Sequence, residues 1–267
     1  MGSYKAPGLF QDRLDACRDV IRGSAMLREL REALAPYADS IDKIRCLALG
    51  SFHEDVPARY QLALLLEIES FLRDEGKKTI SVSLYDPVFT ADDIEYIHQR
   101  GPNYTVDQSP PNGFQDANSK QILYFLPHAP LDLTEQVLIA EQPRLLLANN
   151  IVEHTDRYTK ARLHEKYPML SKLLHVLERA ATVPDSTQAN AVDVDDQFKS
   201  FVSKKKRRNK KVFKEPVIDY DSVKSYFNNC SIITDFQAGA LLRDQPWINS
   251  FSDLTFHHIA SPPEQLT

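Results

Sequence analysis

Short apolar runs alternate along this chain with longer stretches in which apolar residues recur every three or four positions. Leu14, Cys17, Ile21, Leu27, Leu30 and Leu34 form such a stripe between charged residues and predict a helix over 12–35, ended by Pro36. Ile44-Arg45-Cys46-Leu47-Ala48-Leu49 predicts a buried strand that stops at the turn residues Gly50-Ser51. Pro57 suits the first turn of a helix reaching about Arg73, apolar on most sides and closed by Gly76. The pattern then repeats. A strand over 79–85 ends at Asp86-Pro87, and Thr90 caps a helix that Gly101-Pro102 stops. A weak strand over 103–107 leads into a polar loop containing Pro110-Pro111 and Asn112-Gly113. Gln121-Ile122-Leu123-Tyr124-Phe125-Leu126 is a strong strand ending at Pro127-His128. A short helix over 133–141 follows, then a strand over 144–148 ending at Asn149-Asn150. Helices are expected over 156–166 and 168–181, the second with Met169, Leu170, Leu173, Leu174 and Leu177 on one face.

Strands alternating with helices imply an α/β fold, with a mostly parallel sheet flanked by helices and an N-terminal helix. Apolar strands suit a sheet covered on both faces. From about Thr182 to Pro216 periodicity disappears, so 183–216 reads as an inserted, flexible, charged loop within one domain of 1–267 whose core is 40–181 and 217–260. Beyond it a short helix over 220–227 and strands over 230–236 and 254–259 are expected, with a frayed tail.

Charge changes this picture in one place. The net charge of −5 includes the run Lys204-Lys205-Lys206-Arg207-Arg208-Asn209-Lys210-Lys211. Without that run, 25 basic residues face 37 acidic ones, a balance of −12. The body is acidic and gives no support to a nucleic-acid-binding surface, while the run itself fits a nuclear-localisation signal, an RNA contact or a solvated loop. No apolar run approaches the roughly 18 residues of a membrane span. The N-terminus has no apolar signal-peptide core, and Ala6 spoils a myristoylation pattern after Gly2. Cys17, Cys46 and Cys230 have no metal-ligand spacing, so reduced thiols in a cytoplasmic or nuclear protein are expected.

Candidate chemistry gathers at strand ends, because ligands of parallel sheets bind outside the carboxyl ends of strands. Gly50-Ser51 leads into a helix whose free N–H groups suit an anion, but the loop has neither GxGxxG spacing nor a Walker lysine. Asp86 ends the second strand, where an acid accepts hydrogen bonds from a ribose; a turn-forming Asp before Pro87 is the plainer role. On the ribose reading its carboxylate is solvated until ligand arrives. His128 is a candidate base or hydrogen-bonding group, and Asn150 ends the fourth strong strand. His53 and His154 match no metal-ligand spacing, so no metal is expected. Ser51 lies in no GxSxG elbow, and Cys46 lies in an apolar strand where a thiol ionises poorly.

Five segments occur in an order that resembles one family. They are Leu49-Gly50-Ser51-Phe52, Ala58-Arg59-Tyr60-Gln61-Leu62-Ala63, Tyr85-Asp86-Pro87-Val88-Phe89, Leu126-Pro127-His128 and Phe251-Ser252-Asp253-Leu254-Thr255-Phe256-His257. Together they are similar to the SRR-like family (sensitivity to red light reduced) of plants, fungi and animals, over about 40–181 and 225–260. The chain has Ala129 where the family usually has Cys, and Asn149-Asn150-Ile151 where it tends to Gly-Asn-Ser. The resemblance implies a single Rossmann-like domain with a regulatory role in a circadian-clock input pathway. It also implies links to haem metabolism and microtubule-related processes, and it brings no established reaction. Gly50, Ser51, Asp86, His128, Asn150, Asp253 and His257 are therefore expected to line one cleft that takes a small molecule or protein partner. The rival readings are a transferase using S-adenosylmethionine or another nucleotide-containing cofactor, and a scaffold with no small ligand.

Overall fold

A computed structural model describes residues 7–76, 78–108, 122–182, 217–247 and 250–261. The predicted loop over 183–216, with its basic run, and most of the loop after 107 lie outside these residues. Seven strands form one sheet: β1 Lys43–Leu47, β2 Ser81–Tyr85, β3 Tyr104–Val106, β4 Ile122–Leu126, β5 Leu145–Asn149, β6 Asn229–Thr234 and β7 Leu254–Ala260. Their order is β3-β2-β1-β4-β5-β7-β6. The first five pair in parallel, whereas β7 runs antiparallel to both β5 and β6. The parallel strands thus follow the doubly wound order, which reverses between β1 and β4; the antiparallel pair makes the Rossmann likeness approximate.

The helices are α1 Pro7–Arg22, α2 Ala25–Leu34, α3 Val56–Gly76, α4 Ala91–Gln99, α5 Leu131–Ala140, α6 Ile151–Thr155, α7 Lys160–Lys166 and α8 Pro168–Thr182. The single helix expected over 12–35 is two. After Ile21 the stripe loses phase, and Ser24 starts a new helix by accepting the Leu27 N–H at 3.1 Å while donating to the Ile21 carbonyl at 2.6 Å. The helix expected over 156–166 begins only at Lys160, and a separate short helix, α6, precedes its expected start. Asn150 caps α6 by accepting the Val152 N–H, and Thr159 caps α7 by accepting the Arg162 N–H. Over 220–227 only one 3-10 turn, Tyr220–Ser222, forms.

One sheet face is mainly apolar. Ile44, Cys46, Val82, Leu84, Leu123, Phe125, Leu145, Leu147 and Phe256 share a core with side chains of α1, α2 and α3. The other face joins Tyr124, Leu126, Leu146, Ala148 and Ile259 to residues of α5 and α8. Towards β2 this second face turns polar. Arg45, 2% exposed, donates to both carboxylate oxygens of Glu141 at 3.3 Å, to Ser83 Oγ at 2.6 Å and to Asp107. The alternating Ser81-Val82-Ser83-Leu84 supplies one apolar face and one hydrogen-bonding face from the same strand.

Candidate functional site

The carboxyl ends of the parallel strands and the start of β7 share one rim, because β7 runs opposite to β5 and pairs Leu254 with Asn149. Where the chain leaves β1, Ala48 has φ +57° and Gly50 φ +78°. A left-handed alanine costs about 1 kcal/mol, so the surrounding fold enforces this turn. A side chain at Gly50 would also meet the Ala58 Cβ at 3.2 Å.

Asp86 stitches the ends of β1 and β2 together. Its Oδ2 accepts the Gly50 N–H at 2.7 Å, and its Oδ1 accepts the Val88 N–H at 3.0 Å. The expected solvated carboxylate is thus partly engaged, while the side chain stays half-exposed. Both oxygens already serve backbone N–H groups, and the turn-forming role is the one realised.

Next to it lies a second acid that the sequence did not single out. Asp93 is fully buried. Its Oδ1 accepts both the His53 N–H at 3.0 Å and the His53 ring at 2.8 Å, where Nδ1 must be the donor because a carboxylate only accepts. Its Oδ2 accepts the Thr90 N–H and hydroxyl, each at 2.9 Å, completing a capping box for α4. Burial alone would raise the Asp93 pKa, but the Thr90 N–H, the Ser51 hydroxyl and both His53 donors outweigh it and hold it below the usual carboxylate value. Ser51 is buried beside this group without a well-aligned hydrogen bond of its own. The His53 ring stacks on Phe10 of α1 at 3.7 Å between centroids, and the buried Arg59 donates to the carbonyls of Phe52 and His53.

The β5–β7 end of the rim is organised around Asp253. Its carbonyl accepts the Asn150 N–H at 2.6 Å, and its Oδ1 accepts Asn149 Nδ2 at 2.8 Å. Its Oδ2 faces His154 Nδ1 at 3.7 Å, beyond hydrogen-bonding distance. Burial tends to raise the Asp253 pKa, yet His154 and Asn149, with a smaller contribution from His128, draw it below the usual value. The Asn149 amide orientation is set by the carboxylate it donates to. Its Oδ1 is therefore turned away, and it is buried with no donor among the described residues. An acceptor left in that state costs about 1–3 kcal/mol. His128 itself is exposed.

His257 is elsewhere. Four residues into β7, about 13 Å along the strand, it lies opposite Leu146 with no exposed surface. Its Nδ1 lies 3.3 Å from the Leu146 carbonyl, and Nε2 has no partner among the described residues. Burial pushes its pKa down to about 4. It belongs to the sheet interior, on the covered face it shares with Leu146 and Ile259. Of the seven candidates, then, Gly50, Ser51 and Asp86 gather at the β1–β2 end, and His128, Asn150 and Asp253 at the β4–β7 end.

The remaining chemistry is sparse. Burial raises the Cys46 thiol and pushes Cys230 up to about 12, so neither is a ready nucleophile. Among the described residues no group of three His, Cys, Asp or Glu could hold a metal ion, and no helix is long and apolar enough to cross a membrane. An open depression of about 510 Å³ on α4, lined by Ala91, Ile94, Glu95, His98 and Gln99, involves none of the strand-end residues.

No solved structure matches the chain. A family model described as the SRR1 domain matches residues 27–258, from α2 to β7, leaving α1 outside the match. The five ordered segments, the α/β sheet that carries them and a match over most of the chain agree, and the protein belongs to the SRR1 domain family.

Proposed function

We propose that this protein is a regulatory member of its family that works by binding a small molecule at the carboxyl rim of its sheet. The observation that carries the reading is the reversal of strand order between β1 and β4, since open α/β sheets bind ligands at such switch points. The left-handed turn through Ala48 and Gly50 on one side and the exposed His128 on the other flank that position. A regulatory role in circadian-clock input, and links to haem metabolism or microtubule-related processes, follow from the resemblance to SRR-like proteins and belong to this proposal. A cytoplasmic or nuclear location does too.

The transferase reading leaned on Asp86 as a ribose acceptor. With both Asp86 oxygens bonded to backbone N–H groups, no observation favours that reading over a non-catalytic binder. The test is thermal unfolding with nucleotides, S-adenosylmethionine and haem. A ligand at 100 times its Kd stabilises the folded chain by about 2.7 kcal/mol. A rise in Tm with one of these identifies the ligand class. An unchanged Tm with all of them favours a scaffold acting through protein contacts.

A further inference from the structure

Three arginines meet one carboxylate where α1, α2 and α3 pack together. Glu67 of α3 is 2% exposed. Its Oε1 accepts Arg18 Nε at 2.8 Å and Arg22 Nε at 3.0 Å, and its Oε2 lies 3.5 Å from Arg31 Nη2. Arg18 and Arg22 are four residues apart on α1 and share one oxygen, so their heads stand side by side on one helix face. Arg31 reaches the other oxygen of the same group from α2. One bidentate arginine is enough to pair a carboxylate. Here donors are in excess. Among the described residues, Arg18 Nη1 and Nη2, Arg22 Nη2 and Arg31 Nη1 have no hydrogen bond. The three side chains keep 18%, 47% and 41% of their surface, so these heads are open to solvent although Glu67 is buried. Arg28, one turn before Arg31, is exposed beside them. The acids at this corner are Glu67, Asp19, which accepts Arg22 Nη1 at 3.2 Å, and Asp15, which accepts Gln11 Nε2 at 3.0 Å. Positive charge is thus in excess here, on a body that is otherwise acidic.

We propose that Arg18, Arg22 and Arg31, gathered on Glu67, bind a compact oxyanion carrying at least two charges, such as a pyrophosphate group. Glu67 holds three like charges that repel one another. A bridging anion relieves that repulsion through charge-assisted hydrogen bonds to the N–H groups left over. A monocarboxylate brings two oxygens and one charge, too few to engage three heads. An anionic membrane surface is disfavoured, because Asp12, Asp15 and Asp19 lie on the same helix as Arg18 and Arg22. The site stands apart from the rim and does not depend on the rim taking a ligand. Glu67 comes eleven residues after Val56 at the rim end of α3, about 16 Å along the helix. Arg18 and Arg22 also lie outside the SRR1 match.

The test is thermal unfolding of the full chain with sodium pyrophosphate, sodium acetate or sodium chloride at equal ionic strength. Pyrophosphate at about five times a millimolar Kd should raise the Tm by about 2–4 °C, while acetate and chloride leave it unchanged. Arg22→Gln combined with Arg31→Gln should abolish the rise. Arg18 still pairs Glu67 in that variant, so the buried carboxylate is not orphaned. If the double variant does not fold, Arg22→Gln alone, at an exposed position, should cut the rise by at least half. The basic run over 204–211 is the competing place for such an anion. Replacing Lys204, Lys205, Arg207 and Arg208 with Ser should leave the rise intact. No rise with pyrophosphate, an equal rise with chloride, a rise that survives the arginine variants, or one that disappears with the run overturns the site.

Discussion

At the β1–β2 end of the rim each carboxylate oxygen of Asp86 and Asp93 accepts at least one N–H or O–H from the chain. At the β5–β7 end, among the described residues, Asp253 Oδ2 faces only His154 Nδ1, at 3.7 Å, and the Asn149 amide oxygen has no donor. Both ends are polar, both carry an Asp held below its usual pKa, and both have a histidine facing that Asp. They differ in closure. The first spends its polar groups on holding α4 and two strand ends in place, so its acids are part of the fold. The second clamps one acid and leaves acceptors over, which stabilises nothing by itself. Polar residues at the ends of parallel strands thus divide by their hydrogen bonds rather than by their identity.

The sharpest way to break this contrast is Asp93→Ala. It orphans the His53 N–H and ring and removes the α4 capping box, so unfolding in urea should show a loss of about 3–4 kcal/mol. A loss no larger than that of an Asp253 variant would erase the distinction between the ends.

Acidification separates both ends from the interior. His257 has a folded pKa of about 4 against an ordinary 6.5, so the unfolded chain binds the extra proton first. Its contribution is fully present above pH 6.5 and is lost as pH falls towards 4, amounting to about 3 kcal/mol. Asp93 and Asp253, with lowered pKa values, lose theirs only as pH falls below the ordinary carboxylate value of 3.8. His257→Leu should therefore flatten the stability profile between pH 6.5 and 4 and leave the steeper acid limb unchanged. A profile that keeps its slope in that window assigns the loss to another group.

Asp86→Asn should cost about 2 kcal/mol without any ligand, because an amide offers one acceptor where two N–H groups need two. A neutral result in urea titration would return Asp86 to the solvated role the sequence suggested. The smallest effect belongs to Asp253→Asn. Asn149 can still donate to the new amide oxygen, and the lost charge has no hydrogen bond at Oδ2, so less than about 1 kcal/mol is expected. A loss above that of Asp86→Asn would make the β5–β7 end as structural as its counterpart.

The strand-helix alternation was readable because each strong strand is a short apolar run bounded by turn residues, as with Cys46 before Gly50 or Phe125 before Pro127. The antiparallel direction of β7 was not, since an apolar run has no polarity of its own. Arg45 interrupts the β1 run for a reason that lies 96 residues downstream, at Glu141. In the candidate site, Gly50 and Asp86 were legible as strand ends, but their mutual hydrogen bond was not. Asp93 looks locally like an ordinary third residue of a capping box. Only the return of His53 from 40 residues earlier makes it the centre of a network. The closing segment misled for a geometric reason. Asp253 and His257 sit four residues apart in one motif, and a strand carries them to different depths.

Three thiols in the interior make the chain its own clock. Cys46 and Cys230 have no exposed surface and Cys17 is 7% exposed, on strands β1 and β6 and helix α1 respectively. A maleimide reagent reaches each thiol only when its element opens, so labelling of the native protein times those openings one by one. Cys17, on the helix that lies outside the family match, should be labelled first. Cys46, on a strand paired on both sides, should wait for the whole sheet to come apart.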